Sequence, residues 1–450
     1  MSKCCAICRK NIFKGLIYIN IHFITFGCKV NLCETENMKE LFLSDGFSIT
    51  DEDIAEIFVI NSCTVTSMSD KKVRQEIHRL KKSYPDGIIA LMGCFPQAFK
   101  EKAEEIIEAD IIIGSKNRRR LPLLIKEFLI DRIRLVKIDE YENDDGFERM
   151  KNTEFEDKTR AFIKIQDGCN QFCSYCIIPY ARGRIRSKSI DDLRDEVKAL
   201  ALSGHKEIVL VGINLSFYGK EFGLRLVDAI EACCEIDGIE RVRLGSLEPE
   251  VISDEDILRL SKQAKLCPQF HLSLQSGCDK TLESMNRKYT SAEYFELVEK
   301  LRKAFPDCAI TTDVMVGFPE ESDEDFQKSL AFVKKVGFAK VHVFPYSRRE
   351  GTVAAKRSGQ IQSSVKTLRA KEMGKLSDRL QEAFLEKQVG KTFPVLFERE
   401  NCTEFHQGYA PNYTLVKIPT KISDKSLRRE IFYVKIEEIR KDFCIGEIQI

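Results

Sequence analysis

Residues 161–176 read Ala161-Phe162-Ile163-Lys164-Ile165-Gln166-Asp167-Gly168-Cys169-Asn170-Gln171-Phe172-Cys173-Ser174-Tyr175-Cys176. The apolar-rich start predicts a strand over Ala161–Gln166, and Cys169, Cys173 and Cys176 follow it as C-x3-C-x2-C. Three thiolates from one short loop can hold three irons of a cubane cluster and leave the fourth iron open. An open coordination position is what separates a catalytic metal centre from a structural one. A structural zinc loop is the plainer reading, but the stretch offers no obvious fourth ligand nearby.

Working outward, the strand pattern recurs at Glu207–Ile213, Arg241–Leu247, Gln269–Gln275, Ala309–Val316 and Lys340–Pro345, with helix-length intervals between. Six βα units predict an incomplete barrel with its chemistry at the carboxyl ends of the strands. Polar residues stand at those ends: Gly212 and Asn214, Ser246 and Glu248, Gln275 and Ser276, and Asp313. At successive strand ends they would converge on one mouth; taken singly, each is equally a helix cap or turn residue. His271 reads as a structural histidine.

Towards the amino terminus the same alternation is smaller. Strands over Tyr18–Phe26, Ile54–Asn61, Ile88–Met92 and Ala109–Ile113 alternate with helices over Glu34–Ser44, Ser69–Ser83 and Phe99–Ile107, predicting a doubly wound parallel sheet. Cys28, Cys63 and Cys94 each follow one of these strands and precede a helix. In a parallel sheet those ends share one edge, so the three thiols should meet there, where such folds bind ligands. Three separate buried cysteines are the alternative.

The chain of 450 residues is too long for one core. Between Asp139 and Asp157 nine residues are acidic and only Arg149 and Lys151 are basic, which reads as a solvated linker. After a Leu/Ala/Glu-rich helical stretch, Phe393–Arg399, Phe405–Tyr409, Tyr413–Ile418, Ile431–Ile439 and Cys444–Ile448 predict a small antiparallel β-barrel. The expected division is an extension over 1–16, an N-terminal α/β domain over 17–138, the linker over 139–157, the partial (βα)6 barrel over 158–387 and the small barrel over 388–450. The 71 Lys and Arg against 70 Asp and Glu give a net charge of +1, so nucleic-acid binding has to come from local patches. Seventeen cysteines, an odd number, in a chain with no evident signal peptide point to metal or redox chemistry in a reducing cytoplasm rather than to a secreted disulfide framework. No apolar run reaches the length of a membrane span, so no membrane partner is expected.

The cysteine loop, with Tyr175 before its last cysteine, resembles the signature of radical S-adenosylmethionine (SAM) enzymes. The resemblance implies a 4Fe–4S cluster on Cys169, Cys173 and Cys176 whose open iron binds SAM. It also makes Tyr175, Gly212, Asn214, Ser246, Glu248, Gln275, Ser276 and Asp313 candidates for SAM contact; no catalytic residue beyond the cluster ligands is assigned. The three-cysteine domain, the partial barrel and a terminal barrel similar to the TRAM module together resemble the methylthiotransferase family, from about Ile17 to Ile450. In that family a second 4Fe–4S cluster, here on Cys28, Cys63 and Cys94, handles the inserted sulfur. One SAM gives the methyl group and a second gives the radical that opens a C–H bond.

Gly27-Cys28-Lys29-Val30-Asn31, Glu34-Thr35-Glu36 and the run from Gly168 to Gly183 are similar to the branch that adds a methylthio group at C2 of N6-threonylcarbamoyladenosine beside the tRNA anticodon. The branches for isopentenyladenosine and for a ribosomal protein typically carry Gln-Met-Asn and Pro-Lys-Asn after the first cysteine, and Lys29-Val30-Asn31 matches neither. The implied partners are the tRNA anticodon loop, SAM, an electron donor and a sulfur source. Arg182, Arg184, Arg186 and Lys188 alternate, so on an extended segment they would form one basic row against the RNA phosphates, or else a charged edge; Arg349 is a further candidate. In the small barrel Lys421, Lys425, Arg428 and Arg429 form the one basic cluster, and Phe405 and Tyr409 offer rings, with Phe405 better suited to the core. An iron–sulfur electron-transfer protein and a zinc RNA-binding protein remain as non-enzyme alternatives. Cys4, Cys5 and Cys8 in the extension fit no part of the family pattern.

Overall fold

The computed structural model describes residues 19–150, 158–398, 404–420 and 426–449. The extension with Cys4, Cys5 and Cys8, and also Lys421 and Lys425, lie outside them. The chain divides into two compact units. The first takes residues 19–150 together with Ile177–Arg184, and the second takes the rest.

In the first unit β1 (Asn20–Thr25), β2 (Ser48–Ile49), β3 (Ile57–Ser62), β4 (Ile88–Gly93), β5 (Ile111–Ile113) and β6 (Leu135–Lys137) form one parallel sheet in the order β2-β1-β3-β4-β5-β6. Alternate residues of these strands enter opposite cores. Ile57, Val59, Ala90 and Met92 pack on one face, and Phe58, Ile60, Ile89 and Leu91 on the other. That double burial is why the strands read as unbroken apolar runs. The helix Ser67–Ser83 begins where the Thr66 hydroxyl accepts from Ser69 N–H at 3.2 Å and ends on Lys81 and Lys82, which complement the helix dipole. The expected helix over Phe99–Ile107 is instead two short ones, Cys94–Ala98 and Lys100–Glu104.

The acidic segment is not a solvated linker where it is described. Asp139 Oδ2 accepts from Asn117 at 2.6 Å, Asp145 pairs with Lys116 at 2.7 Å and Glu148 with Arg118 at 2.8 Å. Its carboxylates strap it down because Lys116, Arg118 and Arg120, ahead of the helix Leu121–Asp131, supply the matching cations.

The second unit holds β7 (Ala161–Asp167), β9 (Glu207–Gly212) and β10 (Arg241–Leu244) in one parallel run, with β8 (Arg186–Ser187) antiparallel at the edge. A second run is β11 (Ser246–Leu247), β12 (Gln269–Leu272), β13 (Ala309–Val316) and β14 (Lys340–Pro345). The third predicted strand is broken into β10 and β11 at Gly245, where a Cβ would lie 3.2 Å from Leu210 O. Passing from one run to the other there, six parallel strand positions make the partial barrel. Its outer face packs on helices including Ile190–Leu202, Ser291–Ala304, Asp323–Val336 and Ser363–Glu386.

The last five strands, β15 (Thr392–Phe397), β16 (Phe405–Tyr409), β17 (Leu415–Pro419), β18 (Ile431–Arg440) and β19 (Phe443–Ile448), close into a barrel. One pair, β17 with β19, is parallel, so the barrel is not wholly antiparallel as expected. It is clamped to the strands above. Arg243 is buried between the Glu207 carboxylate, at 2.7 Å, and Pro411 O, at 2.9 Å, and its guanidinium lies 4.7 Å from the Tyr413 ring centre. Among the described residues no helix is long and apolar enough to cross a membrane.

Candidate functional site

Cys169, Cys173 and Cys176 lie on the loop that leaves β7, and neighbouring strand ends hold that loop. Gln166 donates to Asp167 O and Gly168 O, both at 2.8 Å, and its Oε1 accepts from Asn214 N–H at 2.7 Å. This close approach requires Gly212: a Cβ there would stand 2.9 Å from Gln166 Cβ. Asn214 Nδ2 and Gln171 N–H donate to Cys169 Sγ at 3.4 and 3.5 Å, and Arg287 donates to Cys173 Sγ at 3.3 Å. Ser174 N–H is tied to Met285 O at 2.9 Å, while the Tyr175 ring packs edge-on against Phe318, 6.4 Å between centres. Burial raises the Cys169 and Cys173 thiols, and these donors oppose it.

Buried Arg287 pairs with half-buried Glu248, and Arg287 also lies 5.0 Å from the Tyr289 ring centre. Burial pushes the Glu248 carboxyl up to about 7, with Arg287 pulling the other way. Asn214 Oδ1 and Glu250 Oε2 are buried and accept no hydrogen bond from the described residues. Asp313 faces His271, Nε2 to Oδ2 3.3 Å, and Thr311 holds the other ring nitrogen at 3.0 Å. His271 therefore belongs to the inner wall of the barrel. Gln275 takes a left-handed φ of +64°, its N–H on Asp313 O at 2.8 Å. Ser276 is fully buried, and its hydroxyl accepts from Cys278 N–H; Ser246 is exposed.

In the first unit β1, β3 and β4 are neighbours, so Cys28, Cys63 and Cys94 follow adjacent strand ends. Glycines allow their loops to crowd. A Cβ on Gly27, at φ +111°, would lie 2.7 Å from Cys63 Cβ, and one on Gly93, at φ +104°, 2.6 Å from Ser62 O. Asn31 joins the Cys28 and Cys63 loops through Nδ2 to Phe26 O and Ser62 O, both at 2.9 Å, while Asn61 returns a bond to Asn31 O at 2.9 Å. Cys94 is buried, which pushes its thiol up to about 12 against the pull of Arg182.

Each triad supplies soft thiol ligands on segments held by hydrogen bonds, one loop for Cys169, Cys173 and Cys176 and three adjacent strand ends for Cys28, Cys63 and Cys94, a donor set suited to an iron–sulfur cluster. Among the described residues no three His, Cys, Asp or Glu side chains close around a single metal ion. A cubane, which takes each thiolate on a different iron, needs no such convergence.

The basic row expected after the loop does not form. Arg182 ends a short helix, Ile178–Arg182, and is fully buried against Glu34. Arg186 pairs with Asp167 at 3.4 Å and Lys188 with Glu196, all buried. Arg349 is buried as well, so Arg184 alone of the five is exposed. In the small barrel Tyr409 stacks on Tyr413, 4.6 Å between centres, beneath Arg160, and Arg429 donates to Ser203 O at 3.4 Å and Lys158 O at 3.2 Å. These groups secure the barrel and are not presented to a base. Arg287, Gln166, Glu250, Asn31 and Asn61 carry much of the site's geometry, and motif reading placed only Asn31 near it.

A cysteine loop at the carboxyl end of the first strand of a six-position partial barrel defines a radical SAM enzyme, and residues 163–333 match the Radical SAM superfamily. Residues 20–114 match the Uncharacterized protein family UPF0004. The chain is 36% identical over 384 residues to the threonylcarbamoyladenosine tRNA methylthiotransferase MtaB of Aquifex aeolicus, covering 85% of this chain and 94% of that one. It is 35% identical over 441 residues to the tRNA-2-methylthio-N(6)-dimethylallyladenosine synthase of Caldicellulosiruptor saccharolyticus, covering 95% and 92%. In fold it is similar to the radical SAM methyltransferase TsrM of Kitasatospora setae, with TM-score 0.56, 14% identity and coverage of 75% and 77%. The chain belongs to the radical SAM tRNA methylthiotransferase family, whose members are sulfur-inserting transferases. The family implies SAM and a 4Fe–4S cluster.

Proposed function

We propose that this enzyme methylthiolates C2 of N6-threonylcarbamoyladenosine beside the tRNA anticodon, using one cluster on Cys169, Cys173 and Cys176 and a second on Cys28, Cys63 and Cys94. The observation that carries the two-cluster reading is the placement of Cys28, Cys63 and Cys94 after three adjacent parallel strands, β1, β3 and β4. The choice of threonylcarbamoyladenosine is supported by the Aquifex relative and by Lys29-Val30-Asn31 after the first cysteine.

Bound at these loops, the clusters and SAM supply the electron, the radical, the sulfur site and the methyl group. The chain's own residues do the rest. Asn214 and Arg287 donate to ligand sulfurs, which favours the thiolate form. Asn214 Oδ1 and Glu250 Oε2, buried acceptors without a donor, suit the amine and hydroxyls of SAM. Glu248 is held by Arg287 and Asp313 by His271, which fixes two carboxylates at the mouth. The exposed Tyr433 beside Lys435 on the small barrel suits an RNA strand, ring for base and cation for phosphate. An electron donor and a sulfur source complete the partners, in the cytoplasm.

The Caldicellulosiruptor relative favours a second reading, dimethylallyladenosine as substrate. Mass spectrometry of tRNA nucleosides from cells with and without the gene separates the two. The proposal expects loss of 2-methylthio-N6-threonylcarbamoyladenosine alone; loss of the dimethylallyl product instead would refute it.

A further inference from the structure

Arg182, Glu34 and Cys94 make a buried arrangement for which cysteine ligation alone gives no reason. Arg182 Nε–H donates to Cys94 Sγ at 3.1 Å. One terminal nitrogen of the same guanidinium reaches Asn31 Oδ1 at 2.8 Å and Glu34 Oε2 at 3.0 Å, and the other reaches Glu34 Oε1. Arg182 and Glu34 are fully buried. Arg118 pairs with the same Glu34 oxygen, Oε1, and also with Glu148. Two guanidiniums thus face two carboxylates. A purely structural ion pair would be complete at Arg182 and Glu34; the Nε bond to sulfur goes beyond it. Asn31, which also closes the Cys28 and Cys63 loops, fixes the guanidinium plane.

We propose that Arg182 is a positioning residue whose guanidinium, oriented by Glu34 and Asn31, sets the reduction potential of the cluster on Cys28, Cys63 and Cys94. The inference rests on the reading that this triad carries a cluster. Reduction adds negative charge to the cluster and its thiolates, and hydrogen bonds to the sulfurs are one of the protein's levers on potential. A fixed N–H donor and a cation favour the reduced form, and burial strengthens both effects. The signs follow directly. Arg182→Met removes donor and charge, so the potential falls. Glu34→Gln keeps the guanidinium and removes an opposing charge, so the potential rises.

The test uses the full-length protein with Cys169, Cys173 and Cys176 all changed to Ala, reconstituted anaerobically so that only this cluster is loaded. Iron and sulfide are counted, and the midpoint is read by electron paramagnetic resonance during a redox titration. The expected result is unchanged iron content, a lower midpoint in Arg182→Met, a higher one in Glu34→Gln and a value between the parent and Arg182→Met in Arg182→Lys. If Arg182→Met does not fold, the rise in Glu34→Gln and the smaller fall in Arg182→Lys decide the matter. Midpoints that stay put, or that move in the same direction in Arg182→Lys and Glu34→Gln, would overturn the proposal while leaving the cluster reading intact. Absence of iron from the parent would overturn that reading, and the proposal with it.

Discussion

Asn214 donates from Nδ2 to Cys169 Sγ at 3.4 Å while its own backbone N–H rests on Gln166 Oε1 at 2.7 Å. The end of β9 is thereby tied to the cysteine loop after β7 by one side chain and one glutamine. Asn214→Ala removes a neutral donor to sulfur, worth about 1 kcal/mol and so roughly five- to tenfold in rate. The expected outcome is that iron content holds while 5′-deoxyadenosine release slows by about that factor. Full-speed SAM cleavage in the variant would show that the bond does not support the site.

The two triads should separate by reaction. Cys169→Ala is expected to abolish SAM cleavage, because it removes a ligand of the cluster at the barrel mouth. Cys63→Ala is expected to retain some 5′-deoxyadenosine formation and lose sulfur insertion altogether. Both products are read in one assay, by chromatography of the nucleosides. Methylthiolated tRNA from either variant would refute the division of labour.

Glu207 is fully buried and answers both Arg243, at 2.7 Å, and Arg241, at 3.4 Å. Burial would raise its carboxyl, but the arginines outweigh it and hold the pKa below the ordinary carboxylate value. Removing one member of such a group strands the others, at a cost of about 3–5 kcal/mol. Glu207→Ala should therefore lower the unfolding midpoint markedly, and limited proteolysis should release the small barrel early. An unchanged melting curve would mean that the clamp contributes little.

His205 provides a pH test of stability. It is fully buried, and burial together with nearby Arg429 lowers its pKa to about 4. Since the unfolded imidazole titrates near 6.5, the folded state is favoured by this group above that value. The contribution is lost progressively as pH falls towards 4. The melting temperature should drop between about pH 7 and pH 5, and His205→Gln, though less stable at neutral pH, should show a shallower slope. Parallel slopes would remove His205 from the account.

Strands buried on both faces, such as Ile57–Ser62 and Ile88–Gly93, were legible because apolar runs bounded by turns have few other readings. The same reasoning put Cys28, Cys63 and Cys94 at neighbouring strand ends, where the fold places them, while Cys169, Cys173 and Cys176 were read from their spacing. The basic row was misread. Period-two spacing over Arg182–Lys188 says nothing of the carboxylates waiting elsewhere in the chain, and Glu34 lies 148 positions from Arg182. Arg287 was missed for the same reason: it stands after a short helix with no periodicity, and only folding brings it to Cys173. The acidic segment misled in the opposite direction, because its partners Lys116 and Arg118 lie ahead of the helix Leu121–Asp131 and leave no pattern in its own composition.

The central claim is tested most directly by purified, reconstituted enzyme given SAM, a reductant, a sulfide source and tRNA bearing threonylcarbamoyladenosine, followed by mass spectrometry of the digested nucleosides. The account predicts conversion to 2-methylthio-N6-threonylcarbamoyladenosine, with none from Cys63→Ala. Unmodified threonylcarbamoyladenosine alongside methylthiolation of a dimethylallyladenosine tRNA in the same reaction would contradict it.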